Sequence, residues 1–363
     1  MSRLRRIAAV AAVESTRLMR TRIALTLLLL VPLLQIVLFG TAIRPDAAVT
    51  VAIAAPSKRD AETVASELGQ QHNLAVVAKG APGTAEAMVR RGGAVIGVEV
   101  PEARSFANPL AKGGPLRIVV DASNASLASA ATARIEAAYW RALAERGDAS
   151  GPGLKVERLY NPESRADWSF LPGLVGVTVM IAMIMLGTLS LAREREGGTW
   201  EALLILPVGR GEVLLGKLLP YIMIGTVQGL AVMATGIWLF ELPLPQGAAA
   251  LAALLPLFCA AHLVLGYAIA AKAQTQLAAL QGAVAFYLPS MLLSGFLYPF
   301  ATLPRWAQAL GEVFPLTHFI RAATGVLLRG EGWSIVLEQA LPIAAFAAAG
   351  TLIATLFQSR STG

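Results

Sequence analysis

The chain alternates between long stretches without a single charge and one long stretch of ordinary polarity. Read from one charge to the next, residues 23–43, 168–192, 218–240, 242–271, 273–304 and 339–359 contain no Asp, Glu, Lys or Arg. Each reaches the ~20 apolar residues that cross a hydrocarbon core of about 30 Å at about 1.5 Å per residue. The pattern predicts an α-helical integral membrane protein with six transmembrane helices, at 23–43, 169–192, 218–240, 246–271, 276–298 and 337–358. The polar stretch 44–168, placed after the first of them, is read as an inserted small α/β domain.

Within that insertion, 49–54 (VTVAIA), 74–78 (LAVVA), 94–98 (AVIGV) and 116–120 (LRIVV) have the short β-branched character of strands. Helical stretches at 57–70, 84–91 and 124–146 lie between and after them, and a further short run at 154–160 leads back to the membrane. Strands alternating with helices point to the α/β class. Ala81-Pro82-Gly83 and Gly113-Gly114-Pro115 are turns. Asp121, Ser123 and Asn124 read as a turn and helix N-cap rather than a metal site. His72 is the domain's lone histidine, and no catalytic grouping stands out. Its expected role is to bind substrate, to bind an outer partner or to cap an exit.

Composition agrees with the pattern. Apolar residues make up 56% of the 363 and charged residues 15%, against roughly 45–50% and about 25% in a soluble globular chain. Residues 44–168 hold 29 of the 53 charges, so the remaining 238 residues share only 24. The net charge of +7 is concentrated at 1–22, where Arg3, Arg5, Arg6, Arg17, Arg20 and Arg22 face Glu14 alone. A basic excess beside a membrane segment follows the positive-inside rule and argues against a nucleic-acid partner. With the N-terminus inside, the short inner segments carry twelve Lys/Arg and the outer ones three. Both termini are therefore expected in the cytoplasm and 44–168 on the extracytoplasmic side. The apolar run at 23–43 is longer than the 7–15 residues of a signal-peptide core, so an uncleaved first helix is expected. Residues 3–20, with Leu4, Ile7, Ala8, Ala11 and Leu18 among arginines, read either as an amphipathic helix in the inner interface or as a positively charged anchor with no further role. One cysteine, Cys259, excludes disulfides and cysteine-based metal motifs.

The chemistry-bearing segment lies between the second and third spans, in a cytosolic loop at 193–217. Arg193, Glu194, Arg195 and Glu196 leave the membrane, Gly197 and Gly198 turn, and Thr199 caps a short helix with Glu201 in its first turn. Trp200, Leu203, Leu204 and Pro207 fall at i, i+3, i+4 and i+7 on one stripe, and Pro207 ends the helix. Two turns of helix cannot bury that stripe against themselves. It either docks into a groove on another protein or sinks into the lipid interface. Gly211 to Lys217 matches G-x-x-x-x-G-K, but Leu218 stands where a phosphate-binding loop needs Ser or Thr, and no strand precedes it. No ATP-binding apparatus is visible, so energy must come from another polypeptide or an ion gradient. The span centres hold no carboxylate or basic relay. His262 is either a relay or a hydrogen-bonded helix contact. Gln228, Gln281, Ser290 and Ser294 either line a translocation path or pack between helices. Gly225-x-x-x-Gly229 permits close helix approach.

The run R-E-R-E-G-G-T-W-E-A-L-L-I-L-P from Arg193, followed by Gly216-Lys217, resembles the signature of type-2 ABC exporter permeases. A second stretch is similar too: Leu293-Ser294-Gly295-Phe296-Leu297-Tyr298-Pro299, Leu303-Pro304-Arg305-Trp306, Pro315-Leu316-Thr317 and the Arg321–Gly330 run. The chain departs from the family at Phe314, where Asn is common, which leaves that residue's capping role open. The resemblance implies a permease of the cell inner membrane that binds no cofactor itself. It implies pairing with a second copy or a related permease, and two separate ATP-binding cassette subunits that hold ATP and Mg in the cytosol. It implies that 194–206 couples to the ATPase, that 1–22 is a second contact, and that 299–330 forms re-entrant helices at the outer mouth. Pro299, Pro304 and Pro315 independently break a continuous helix there. A membrane-anchored binding or sensory protein using 44–168 as receptor is the alternative, but it leaves four spans unexplained. An ion-coupled carrier is a third reading. An intramembrane enzyme is disfavoured because the spans hold no paired carboxylates or His cluster.

Overall fold

The computed structural model describes residues 49–69, 74–100, 116–145, 154–197, 210–273 and 275–359. The expected segments 1–22 and 23–43, His72, the 113–115 turn and residues 198–207 lie outside them.

Among the described residues, five strands form one sheet: β1 Val49–Ala54, β2 Leu74–Gly80, β3 Ile96–Glu99, β4 Leu116–Asp121 and β5 Leu154–Leu159. Their order is β2-β1-β3-β4-β5. Every neighbouring pair is parallel except β3 and β4. Three helices join them, α1 Lys58–Gly69, α2 Thr84–Arg90 and α3 Ala125–Glu145. Val49, Val51 and Ile53 point to one face, where Ile96, Val98, Ile118 and Val120 join the buried side chains of α1 and α3. Ala52, Ala54 and Val119 point to the other, against Ala85 and Val89 of α2. Burial on both faces is why these strands read as unbroken apolar runs. The small residues set the spacing: a Cβ at Gly97 would lie 2.9 Å from Ala85 O.

Among the described residues, five helices are long and apolar enough to cross a membrane. They are α4 Ala166–Glu196, α5 Arg210–Leu239, α6 Ala248–Ala270, α7 Gln276–Leu293 and, after shorter elements, α10 Trp333–Ser359. Between α7 and α10 lie a 3-10 turn at Phe300–Thr302 and two short helices, α8 Arg305–Gly311 and α9 Pro315–Leu327. Each long helix contains one proline: Pro172, Pro220, Pro256, Pro289 and Pro342. Residues 210–217 are helical, so the G-x-x-x-x-G-K spacing there has no loop in which to cradle a phosphate.

The helix limits differ from the charge-free stretches in an orderly way. Helix α4 continues through Arg193–Glu196, because charges at a membrane exit need not end a helix. Helix α10 starts at Trp333 and takes in Glu338. Helix α7 stops at Leu293 rather than near residue 298, because Gly295 adopts φ +91, a left-handed conformation that ends helices.

The bundle is organised around α4 and α6, whose backbones nearly touch. A Cβ at Gly187 would meet Leu263 O at 2.5 Å, and one at Gly266 would meet Ile184 O at 2.5 Å. Thr188 Oγ1 donates to Gly266 O at 3.3 Å across the same crossing. Helix α5 lies against this pair by its glycine edge: at Gly225 a Cβ would meet Met183 Sδ at 2.5 Å, and at Gly229 Leu255 Cδ2 at 2.8 Å. The G-x-x-x-G spacing thus serves close packing. The other edge of α5 exposes Met223, Val227 and Trp238, and α10 exposes Leu337, Leu341 and Leu352.

Candidate functional site

At the end of the bundle away from the sheet, the charges that close α4 grip the α6–α7 turn. The Arg195 guanidinium donates to the carbonyl of Ala271. Glu196 accepts from Gln276 Nε2 at 2.8 Å, which places a carboxylate beside the N-terminus of α7, where the helix dipole favours it. Gly197 ends the helix, its N–H donating to Arg193 O at 3.0 Å, with an ordinary right-handed φ of −83. Arg195 and Glu196 therefore join the end of α4 to the α6–α7 turn. Gly198, Thr199, Trp200, Glu201, Leu203, Leu204 and Pro207 lie outside the described residues.

The four polar membrane residues do not share one environment. Ser290 is fully buried with Oγ 3.5 Å from Met180 Sδ, and buried Ser294 donates to Met291 O at 3.2 Å. Both make the internal contacts of packing residues. Gln228 on α5 and Gln281 on α7 are half-buried. Gln281 precedes Ser290 by about two and a half turns, which puts the two on opposite faces of α7. His262 is buried, its Nδ1 3.0 Å from Phe258 O and its ring 4.4 Å from that of Phe258. The bond is to its own helix α6, and Nε2 makes no hydrogen bond to a neighbouring helix among the described residues.

At the sheet end, the short helices form a hairpin that begins where the prolines predict. Pro299 precedes the 3-10 turn, Pro304 precedes α8, and Pro315 is the first residue of α9. Phe314 holds the N-cap position without a side-chain hydrogen bond. Its ring instead packs edge-on against Phe286 of α7, with centroids 5.4 Å apart. Packing takes the place of a polar cap. Thr317 donates to Gly311 O at 2.6 Å, and Arg321 grips Glu312 with one bond of 2.8 Å while lying 4.6 Å over the Phe300 ring. That guanidinium holds the Glu312 carboxyl below the usual carboxylate range.

The sheet is fastened to this hairpin. Arg329, just past α9, pairs with Asp121 at the end of β4 at 2.7 Å, and lies 5.9 Å over the Tyr160 ring. Burial, with Asp121 adding to it, pushes the Tyr160 hydroxyl above its ordinary value. Asp121 also accepts from Ser123 N at 3.0 Å, and Asn124 caps α3 by accepting from Leu127 N at 3.0 Å, as the turn reading expects. The N–H of Ala125 is taken by Ser169 of α4 at 3.0 Å, a second tie between sheet domain and bundle. Sequence reading missed the Arg329 partnership, because its members are 208 positions apart. Arg329→Gln is expected to weaken the docking by about 1–2 kcal/mol, the size of a lost charge-assisted bond. Faster hydrogen exchange at both 116–122 and 324–329 would register it, and the reversed pair Asp121→Arg with Arg329→Asp should restore part of the protection.

The family described as ABC-2 type transporter matches residues 136–328, just over half of the chain. Over 233 residues the chain is 29% identical to the Escherichia coli (strain K12) protein named Probable multidrug ABC transporter permease YbhR, spanning 63% of either chain. It is 26% identical over 339 residues to Probable multidrug ABC transporter permease YbhS of the same organism, covering 90% of this chain and 89% of that one. It is 26% identical over 217 residues to the Linearmycin resistance permease protein LnrN of Bacillus subtilis (strain 168), covering 59% and 56%. No solved structure matches.

Proposed function

This chain belongs to the ABC-2 type transporter family, and from that premise we propose that it is the membrane-spanning permease of an ATP-driven exporter. The observation that carries the proposal is the extent of the family match. Residues 136–328 take in both the charged exit of α4 and the proline-broken hairpin, the two segments singled out by sequence. Residues 23–43 are the sixth span, with both termini in the cytoplasm and the sheet domain outside. The distribution of Lys and Arg over the short loops supports this orientation. The permease pairs with a second copy or a related chain, and ATP and Mg sit in separate cassette subunits.

The coupling element is 194–206, with the Trp200, Leu203 and Leu204 stripe seated in a groove of the ATPase. Arg195 and Glu196 give the element a lever. Because they hold the α6–α7 turn, a pull on 199–207 moves α4 together with the near ends of α6 and α7. Nucleotide-driven closure of the ATPases then tilts the central α4–α6 pair and opens a path away from the cytoplasm. Gln228 and Gln281 are the candidates to face that path. The names of the Escherichia coli relatives, which include the word multidrug, support drugs of several kinds as the substrate class.

Affinity purification of the full chain in mild detergent tests the reading. A cassette ATPase is expected to co-purify, and nucleotide hydrolysis should require it. Hydrolysis by the isolated chain, or labelling of Trp200→Cys from the outer side of intact cells, would remove the proposal.

A further inference from the structure

His318 on α9 sits where two acceptors converge. Its Nδ1 lies 2.8 Å from Gln339 Oε1 on α10, and its Nε2 lies 2.9 Å from the carbonyl oxygen of Glu312 at the end of α8. The Gln339 amide is oriented by its own Nε2, which donates to the Glu338 carboxylate at 3.3 Å, so its oxygen faces the ring. A neutral imidazole has one N–H and one lone pair. It serves one of these acceptors and sets its lone pair against the other. The imidazolium has two N–H groups and serves both. His318 is only 6% exposed, so water is a poor substitute for a lost bond.

We propose that the α8–α9 hairpin is held on α10 by a proton-dependent latch, closed while both ring nitrogens of His318 carry hydrogen and loosened when one is lost. Charged side chains lie close to this position. The Glu312 carboxylate lies 3.9 Å from Nε2, and Arg321 is paired with Glu312. Glu338 lies beyond Gln339 on α10. Glu331, just before α10, brings a further carboxylate against Gly325 of α9. Helix α7 meets the hairpin through Phe286, α4 through Gly176 against Leu316 and Phe319, and α6 through Phe258 stacked on Phe319, with His262 behind Phe258. The tie thus has both bonds with the doubly protonated ring and only one with the neutral ring. Applied to the proposed permease, acidity would keep the sheet-side mouth shut.

The test reads the latch itself, so its failure is separate from failure of the permease reading. Hydrogen exchange of residues 315–327 in the full chain in lipid nanodiscs is compared at pH 5 and pH 8.5, corrected for the intrinsic exchange rate. Protection is expected to fall about tenfold at the higher pH, the factor set by one charge-assisted hydrogen bond. In Gln339→Met the Nδ1 acceptor is gone and a neutral ring bonded to Glu312 suffices, so the pH response should vanish. The chain has three histidines, so ¹⁵N-histidine spectra of the wild type resolve the ring state directly. Both nitrogens of His318 should be protonated at pH 5, and this measurement decides the question if Gln339→Met fails to fold. Equal protection at both pH values in the wild type, an undiminished response in Gln339→Met, or a neutral ring at pH 5 overturns the latch.

Discussion

Gly266→Val is expected to leave little folded protein. The valine side chain would begin 2.5 Å from Ile184 O and 2.8 Å from Thr188 N, both backbone atoms of α4, which cannot turn aside as a flexible side chain can. The two helices would have to separate, and Leu254, Leu255 and Phe258 on α6 would lose their packing against Met180, Met183 and Ile184. Overpacking of this kind costs roughly 3 kcal/mol. Between membrane helices, where association rests on close packing rather than on exclusion of water, little else compensates. Thermal unfolding and size-exclusion profiles of the full chain in detergent measure the effect. Gly332→Val is the control, because a Cβ there meets nothing within 4 Å, and it should stay within about 0.5 kcal/mol of the wild type. A Gly266→Val protein as stable as the wild type would mean that α4 and α6 do not cross at these glycines.

Trp200→Asp is expected to abolish permease-dependent stimulation of the ATPase while leaving membrane insertion intact. A buried tryptophan at the centre of an interface typically contributes 2 kcal/mol or more, a factor of about 30 in affinity. An aspartate in its place also sets a carboxylate against an apolar groove. Glu201→Arg should act in the same direction by reversing the charge of the first helical turn. Trp200→Phe, which keeps an apolar ring, should retain most of the coupling. If the stripe lies in the lipid interface, all three variants would leave ATPase stimulation unchanged in the reconstituted complex, and the docking assignment would fail.

These two expectations draw on different sources. The Trp200 stripe is a reading of sequence because helical spacing is local: in a helix, positions 200, 203, 204 and 207 would share a face whatever surrounded them. The same locality made the strands legible. Val49–Ala54 is found where VTVAIA predicts it, and β3 is shifted by only two residues from its predicted start. The crossing at Gly187 and Gly266 is of another kind. The chain has 33 glycines, and nothing local distinguishes these two from the rest. The run Arg193–Glu196 falls between the cases. Its position at a membrane exit is plain from charge, but its hold on the Ala271–Gln276 turn requires the α6–α7 connection to lie beside it in space.

Sequence by itself determined what depends on transfer between water and an apolar phase. It marked the helices that need a membrane and the stretch that does not, and it identified the family through two linear motifs. These properties sum over neighbouring residues, so a window of about twenty suffices to read them. Only the tertiary structure decided what depends on meeting at a distance. It paired Asp121 with Arg329, pressed α4 onto α6 at two glycines, replaced a polar cap at Phe314 by a contact with Phe286, and turned two acceptors toward His318. Hydrogen bonds and close packing act over a few ångströms, and which residues come that close is fixed by how whole helices and the sheet seat on one another.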